Sequence, residues 1–187
     1  STDFRNEMSF SEESLERTAD AYRRIRNTIR FLMGNLNDFD FQKDKISGDH
    51  YSELDKWIVL KTKDLQTEVI KDFENYDIHF AFQKILNFCT NELGGFYLDI
   101  IKDRLYTSKR DGSARRSAQS AMHQIYTSLL TLVAPILSFT AEESYLEKNG
   151  NGSSIFLSEW FSEWEEFDQK IDQGLCCLLY TSPSPRD

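Results

Sequence analysis

Apolar residues recur along the chain at helical rather than strand spacing. From Leu15 they fall as Leu15, Ala19, Tyr22, Ile25, Ile29, Leu32, Met33 and Leu36, one stripe of an amphipathic helix, with Ser11 placed to cap its start. The run Gly34-Asn35-Leu36-Asn37-Asp38 predicts its stop, and residues 37–52 read as a polar connection. Ser52 followed by Asp55 resembles a capping box with a shortened acid, and Leu54, Trp57, Ile58, Leu65, Val69, Phe73 and Tyr76 predict a second helix. Asp77 can cap a third, whose apolar set from Phe82 through Tyr97, Ile100, Ile101 and Leu105 covers almost thirty residues. Gly94-Gly95 is its weak point, because each glycine costs about 1 kcal/mol against alanine inside a helix. Ser113 is expected to cap a fourth helix running through Ala118, Met122, Ile125, Leu129 and Val133 until Pro135 ends it. Thr140-Ala141-Glu142-Glu143 has the spacing of a capping box for a short fifth helix. The fold class predicted is all-α: a bundle of four long helices plus a short fifth.

Composition sharpens this picture. The chain has 187 residues, enough for one sizeable core, and nineteen Leu against three Val favour helix over strand. Mean hydropathy is -0.54 with 28% charged residues, which excludes wholesale disorder and predicts no membrane association. Cys89, Cys176 and Cys177 form no C-x-x-C pair, so neither a disulfide framework nor a metal site is expected, and a reducing cytoplasmic setting fits. The chain starts at Ser1, its first methionine is Met8, and no signal-like segment opens it; it reads as an internal piece of something longer. The domain is expected over residues 1–174, with its core at about 11–164. Composition changes abruptly near the end, so residues 175–187 read as a non-native or disordered tail.

The net charge of -9 argues against a surface basic all over, but its distribution is uneven. Residues 81–135 carry seven basic and four acidic side chains, whereas 136–187 carry three and ten. No phosphate-cradling glycine loop, no H-E-x-x-H, no G-x-S-x-G and no Cys/His cluster is present, and His50, His79 and His123 fall on different predicted elements. A self-contained catalyst is not expected. Arginine placement is the informative feature. Arg17, Arg23, Arg24, Arg26 and Arg30 lie on the first helix, with Arg23 and Arg30 forming one stripe around Asn27. Lys102, Arg104, Lys109, Arg110, Arg115 and Arg116 bracket the joint between helices three and four against Asp103 and Asp111, a local net charge of +4. Such a cluster suits phosphates, since a guanidinium forks onto two oxygens and the next helix adds its positive end; a solvated face is the other reading. Arg26 and Arg104 intrude on apolar stripes and are expected to form structural ion pairs, with Asp99 or Asp103 as partners. Most aromatics fall on core spacing; Tyr106, beside the basic joint, is the candidate for stacking on a base.

Several runs are similar to the helical anticodon-binding domain of bacterial-type isoleucyl-tRNA synthetases, class I aminoacyl-tRNA synthetases. They are Ala21-Tyr22-Arg23-Arg24-Ile25-Arg26-Asn27-Thr28, Leu54-Asp55-Lys56-Trp57, Phe96 through Tyr106, Ala114-Arg115-Arg116-Ser117-Ala118-Gln119 and Ala134 through Glu143, in that order. The last is shared in looser form by valyl, leucyl and methionyl relatives. Gly94-Gly95 and Ser144-Tyr145 depart from the family pattern. The resemblance implies a cytoplasmic, ATP-dependent parent ligase that charges its tRNA with isoleucine and edits valine. Its ATP with magnesium and its zinc ion would be bound outside these residues, so no cofactor is expected here. The expected partner is isoleucine-accepting tRNA, gripped at its anticodon stem and loop by a monomer through Arg23, Arg30, Lys109, Arg110, Arg115 and Arg116, with Arg104 a further candidate. The alternatives are the same domain of a valyl or leucyl enzyme, and a helical protein-interaction module working through its acidic face.

Overall fold

A computed structural model of the chain describes residues 11–150 and 152–167, with no strand among them. The expected domain limit at 174 and the tail 175–187 lie outside the described residues. Helix α1 (Glu12–Asn35) starts where Ser11 accepts a hydrogen bond from the Ser14 amide, with Glu12 and Glu13 at its positive end. Helix α3 (Glu53–Glu74) starts at Ser52, whose Oγ accepts the Asp55 amide. The stretch between them is less open than its polarity suggests: it holds a one-turn helix α2 (Phe41–Asp44) and a 3-10 turn at Gly48–His50. Four residues are too few for an apolar period to register.

The third rod is one near-continuous helix with an unusual centre. Helix α4 (Ile78–Asn87) passes into a π-wound stretch, Phe88–Tyr97, and out into α5 (Leu98–Thr107). The paired glycines lie in that stretch. A Cβ on Gly94 would stand 2.9 Å from the Cys89 carbonyl oxygen, and one on Gly95 would stand 3.1 Å from that of Thr90, each five residues back. Wider winding brings those carbonyls under the glycines, which is tolerated because no side chain is present. The extra residues per turn also rotate α5 relative to an unbroken α-helix. Ile100, counted in the apolar stripe from its spacing, is consequently 48% exposed.

Helix α6 (Ser113–Val133) runs through the centre and is buried along almost all its length from Arg116 onward. Gly112 rather than Ser113 occupies its cap position. Helix α7 (Ser138–Asn149) begins two residues before the expected box, because the chain turns tightly after Pro135, with the Ile136 and Leu137 amides both donating to the Val133 carbonyl. Thr140 is thereby drawn inside the helix, where its Oγ1 meets the Tyr22 hydroxyl at 3.1 Å. Four long rods with a shorter α7 match the predicted bundle, with α2 in addition. The turn between α3 and α4 places Tyr76 at φ 59, and the Tyr76 and Asp77 amides return to the carbonyls of Phe73 and Asp72, the paired closure of a Schellman motif.

The core joins Ile25, Ile29 and Leu32 of α1 to Ile58 and Val69 of α3, Ile85, Leu93 and Ile101 of the third rod, and Ile125 and Leu129 of α6. Small residues on α6 let neighbouring backbone approach: Ser117 Oγ accepts the Ser52 amide at 2.9 Å and Ser120 Oγ that of Ile46 at 3.4 Å. The segment after α7 is tied down by Gln66, whose Nε2 donates to the Phe161 carbonyl while its Oε1 accepts from Ser128. His123 stacks on Phe41 with centroids 4.2 Å apart, and burial, with the nearby Lys148 charge, pushes its pKa down to about 4.

Two outcomes follow for stability. Gly94→Ala is expected to lower it by roughly 1–3 kcal/mol despite alanine's better helix propensity, read as a fall in Tm, because the new methyl group meets backbone that cannot step aside. The folded chain holds His123 neutral whereas the unfolded chain protonates it at about 6.5, so its contribution is complete above pH 6.5 and is lost as pH falls toward 4. Thermal melts across that window should drop more steeply for the natural chain than for His123→Gln.

Candidate nucleic-acid interface

One end of the bundle gathers the C-terminus of α1, the start of α3, the α5–α6 joint and the first turns of α6. Two carboxylates organise it. Asp55 is fully buried in the first turn of α3 and accepts from Ser52 Oγ at 2.7 Å, Tyr97 Oη at 2.7 Å, Arg104 Nη1 at 2.8 Å and Ser117 Oγ at 2.5 Å. These donors arrive from three rods. Burial raises the Tyr97 phenol well above its usual range and so keeps it a donor. Arg104 also donates to Ser52 Oγ at 3.1 Å. The guanidinium anticipated to intrude on the core therefore does form a structural pair, but the carboxylate it meets is forty-nine residues upstream. The expectation looked to Asp99 or Asp103 on its own helix. Asp99 instead takes Lys102 at 2.9 Å. Arg26 is half-buried and forms no ion pair among the described residues.

Asp38, in the turn after α1, is the second centre. Its Oδ1 accepts from Gln119 Nε2 at 2.7 Å, its Oδ2 from Arg115 Nη2 at 2.8 Å, and its backbone carbonyl from Arg116 Nη1 at 3.2 Å. Burial works to raise its pKa, but the Gln119 hydrogen bond and the Arg115 charge outweigh that and hold it below the ordinary carboxylate value. Arg115 reaches on to the Leu105 carbonyl at 2.8 Å, closing the exposed end of α5. Arg116 is buried, pairs with Asp111 at 3.0 Å and Asp44 at 3.3 Å, and lies over the Phe39 ring.

The basic cluster expected at this joint divides into inward-paired and outward-facing members. Arg104, Arg115 and Arg116 each pair with a carboxylate within the fold, because helices meeting here need their ends and charges matched. The cations that remain at the surface are Lys109, exposed, and Arg110, whose contact with Asp38 is a loose 3.4 Å at 71% side-chain exposure. Tyr106 is 69% exposed beside them, and Lys102 precedes it by one turn. On α1, Arg30 is exposed and Arg23 forms a solvent-facing pair with Asp20. Sequence reasoning passed over Asp38, which reads as a turn residue, and saw Asp55 only as a cap. A pointer was available, since Tyr97 falls on core spacing and a buried hydroxyl requires an acceptor.

Nothing in this arrangement suits bond-making chemistry. Among the described residues no group of three or more His, Cys, Asp or Glu could hold a metal ion, and burial pushes the Cys89 thiol up to about 12. No helix among them is long and apolar enough to cross a membrane. What the surface offers is exposed cations and one aromatic ring beside a rigidly paired end of the bundle.

Comparison with known proteins points the same way. The family described as the anticodon-binding domain of tRNA ligase matches residues 55–175. An isoleucine–tRNA ligase of Vesicomyosocius okutanii subsp. Calyptogena okutanii (strain HA) is 47% identical over 176 residues, 94% of this chain and 18% of that protein. The isoleucine–tRNA ligase of Ruthia magnifica subsp. Calyptogena magnifica is 51% identical over 167 residues, 87% of this chain, and that of Legionella pneumophila (strain Corby) is 50% identical over 169 residues, 90% of it. The chain spans about 18% of the length of these relatives.

Removing the buried carboxylate tests the structural assignment. Asp55→Ala should cost about 3–5 kcal/mol in urea unfolding followed by circular dichroism, because it strands the Arg104 charge and the Tyr97 hydroxyl. Asp20→Ala, which breaks only an exposed pair, should leave the midpoint nearly unchanged.

Proposed function

The chain belongs to the anticodon-binding domain family of tRNA ligases, and from that premise we propose that it grips the anticodon stem and loop of an isoleucine-accepting tRNA for a cytoplasmic isoleucine–tRNA ligase. The single observation that carries this reading is the family match with relatives bearing that name at about half identity. The surface supports it. Lys109 and Arg110 stand on the α5–α6 joint with Lys102 and Tyr106 behind them, a short cationic strip with a stacking ring, on a protein whose net charge is -9. Phosphate contacts of this kind fix position and register without reading sequence.

Arg23 and Arg30 of α1 add to the phosphate-facing set, while Arg104, Arg115 and Arg116 act one step removed. They hold the α1 turn, the start of α3 and the start of α6 in register, so that Lys109 and Arg110 are presented from a fixed joint. The parent ligase acts as a monomer. Its ATP and magnesium, its zinc ion and its editing of valine are assigned to the remainder of its length.

A salt titration tests this reading. The 187-residue chain should bind an RNA hairpin carrying the anticodon stem and loop, with log K falling linearly in log salt. Lys109→Ala with Arg110→Ala should weaken it and reduce the slope by roughly 1.5 through two lost phosphate contacts. Arg115→Ala should chiefly lower Tm. Binding indifferent to salt and to the double substitution would overturn the assignment of this surface.

A further inference from the structure

Farther along α1, away from the joint, its exposed flank borders an open groove of about 550 Å³ against the second half of α4 and the start of the π-wound stretch. Its two walls differ in chemistry. On one, Gln83, Asn87 and Asn91 project side-chain amides at intervals of four residues, so they rise one above another. On the other stand Arg17, tied to Glu13, Asp20, paired with Arg23, and Arg24, exposed and without an ion-pair partner among the described residues. Ala21 and Leu86 supply an apolar floor.

Three details mark this groove as more than a solvated crease. Asn91 Nδ2 donates to Asn87 Oδ1 at 2.5 Å, which leaves the Asn87 amide hydrogens and the Asn91 carbonyl oxygen as an adjacent donor and acceptor. Thr90, also lining the groove, has its Oγ1 buried with no hydrogen-bond partner among the described residues. Thr18, Thr28, Thr62, Thr67, Thr107 and Thr127 each donate to the carbonyl four residues back; entry into the π winding denies Thr90 that acceptor. Gly94 and Gly95, four residues beyond Thr90 and Asn91, carry no side chain to close the next turn of the wall.

We propose that this groove takes one unpaired nucleobase of the bound RNA loop. The Asn87 and Asn91 amides meet its hydrogen-bonding edge, Ala21 and Leu86 support the ring, and Arg24 holds the adjoining phosphate. Side-chain amides offer the paired donor and acceptor that a base edge requires, and loops are where bases stand unpaired. This rests on the reading that the chain binds an anticodon stem-loop, and it supplies base selectivity that the strip at Lys109 and Arg110 cannot.

The test uses the 187-residue chain and the same RNA hairpin, with 2-aminopurine placed at each loop position in turn. One position should change fluorescence on binding, and changing the natural base there should weaken binding. Asn87→Ala with Asn91→Ala should lose about five-fold or more in affinity and become indifferent to that base, with the salt slope unchanged. Asn87→Asp, isosteric and folded by circular dichroism, should show the same loss because it replaces a donor by an acceptor. Lys109→Ala with Arg110→Ala should do the reverse, lowering the slope and keeping the base preference. Groove variants that bind with undiminished affinity and preference would overturn the groove assignment while stem-loop binding stood. A natural chain showing no salt-dependent binding to the hairpin would overturn both.

Discussion

The constraint on which this bundle depends is a single buried carboxylate. Asp55 has no exposure to water and is surrounded by four donors from its own cap, the end of the π-wound stretch, α5 and α6. A lone ion in such a place would be prohibitive; with an arginine and three hydroxyls around it, every oxygen is satisfied, and only one mutual placement of the three rods satisfies them all. Apolar packing alone would let those rods slide or rotate by small amounts with little loss. The carboxylate removes that freedom at the end of the molecule where α5 gives way to α6.

Asp38 extends the same logic to α1. By joining Arg115 and Gln119 it pins the turn after α1 to the first turns of α6, and Arg115 passes the linkage on to the end of α5. The consequence for function is a division of labour among cations that look alike in the sequence. Those facing inward are neutralised and set geometry; those facing outward, Lys109 and Arg110, keep their charge at the surface. An acidic protein can in this way hold a short cationic strip without surrounding it by repulsive charge that would loosen the fold.

The helices were legible because their apolar spacing is regular and long: Ile25, Ile29 and Leu32 declare the buried side of α1, and all three are buried. Ser11 and Ser52 were legible as caps because capping is local. Ser113 and Thr140 misled for the same reason, since a local pattern does not know that Pro135 tightens the following turn or that Gly112 precedes the helix. The joint was legible as a concentration of charge but not as a set of pairs. Partners separated by forty-nine or seventy-seven positions are chosen by the way rods cross, which spacing along one helix does not encode. The glycine pair announced an irregularity, yet its form, a change of winding rather than a break, depends on what packs on either side.

That change of winding makes chain length in the middle of the third rod matter as well as residue identity. Deleting one residue between Phe88 and Tyr97 with the winding kept would swing every downstream side chain by roughly 100 degrees. Arg104 would then leave Asp55, and Lys102 and Tyr106 would turn toward a different side. Related chains should therefore show almost no insertions or deletions here, and a length difference, where one occurs, should be matched by a new companion for the buried carboxylate.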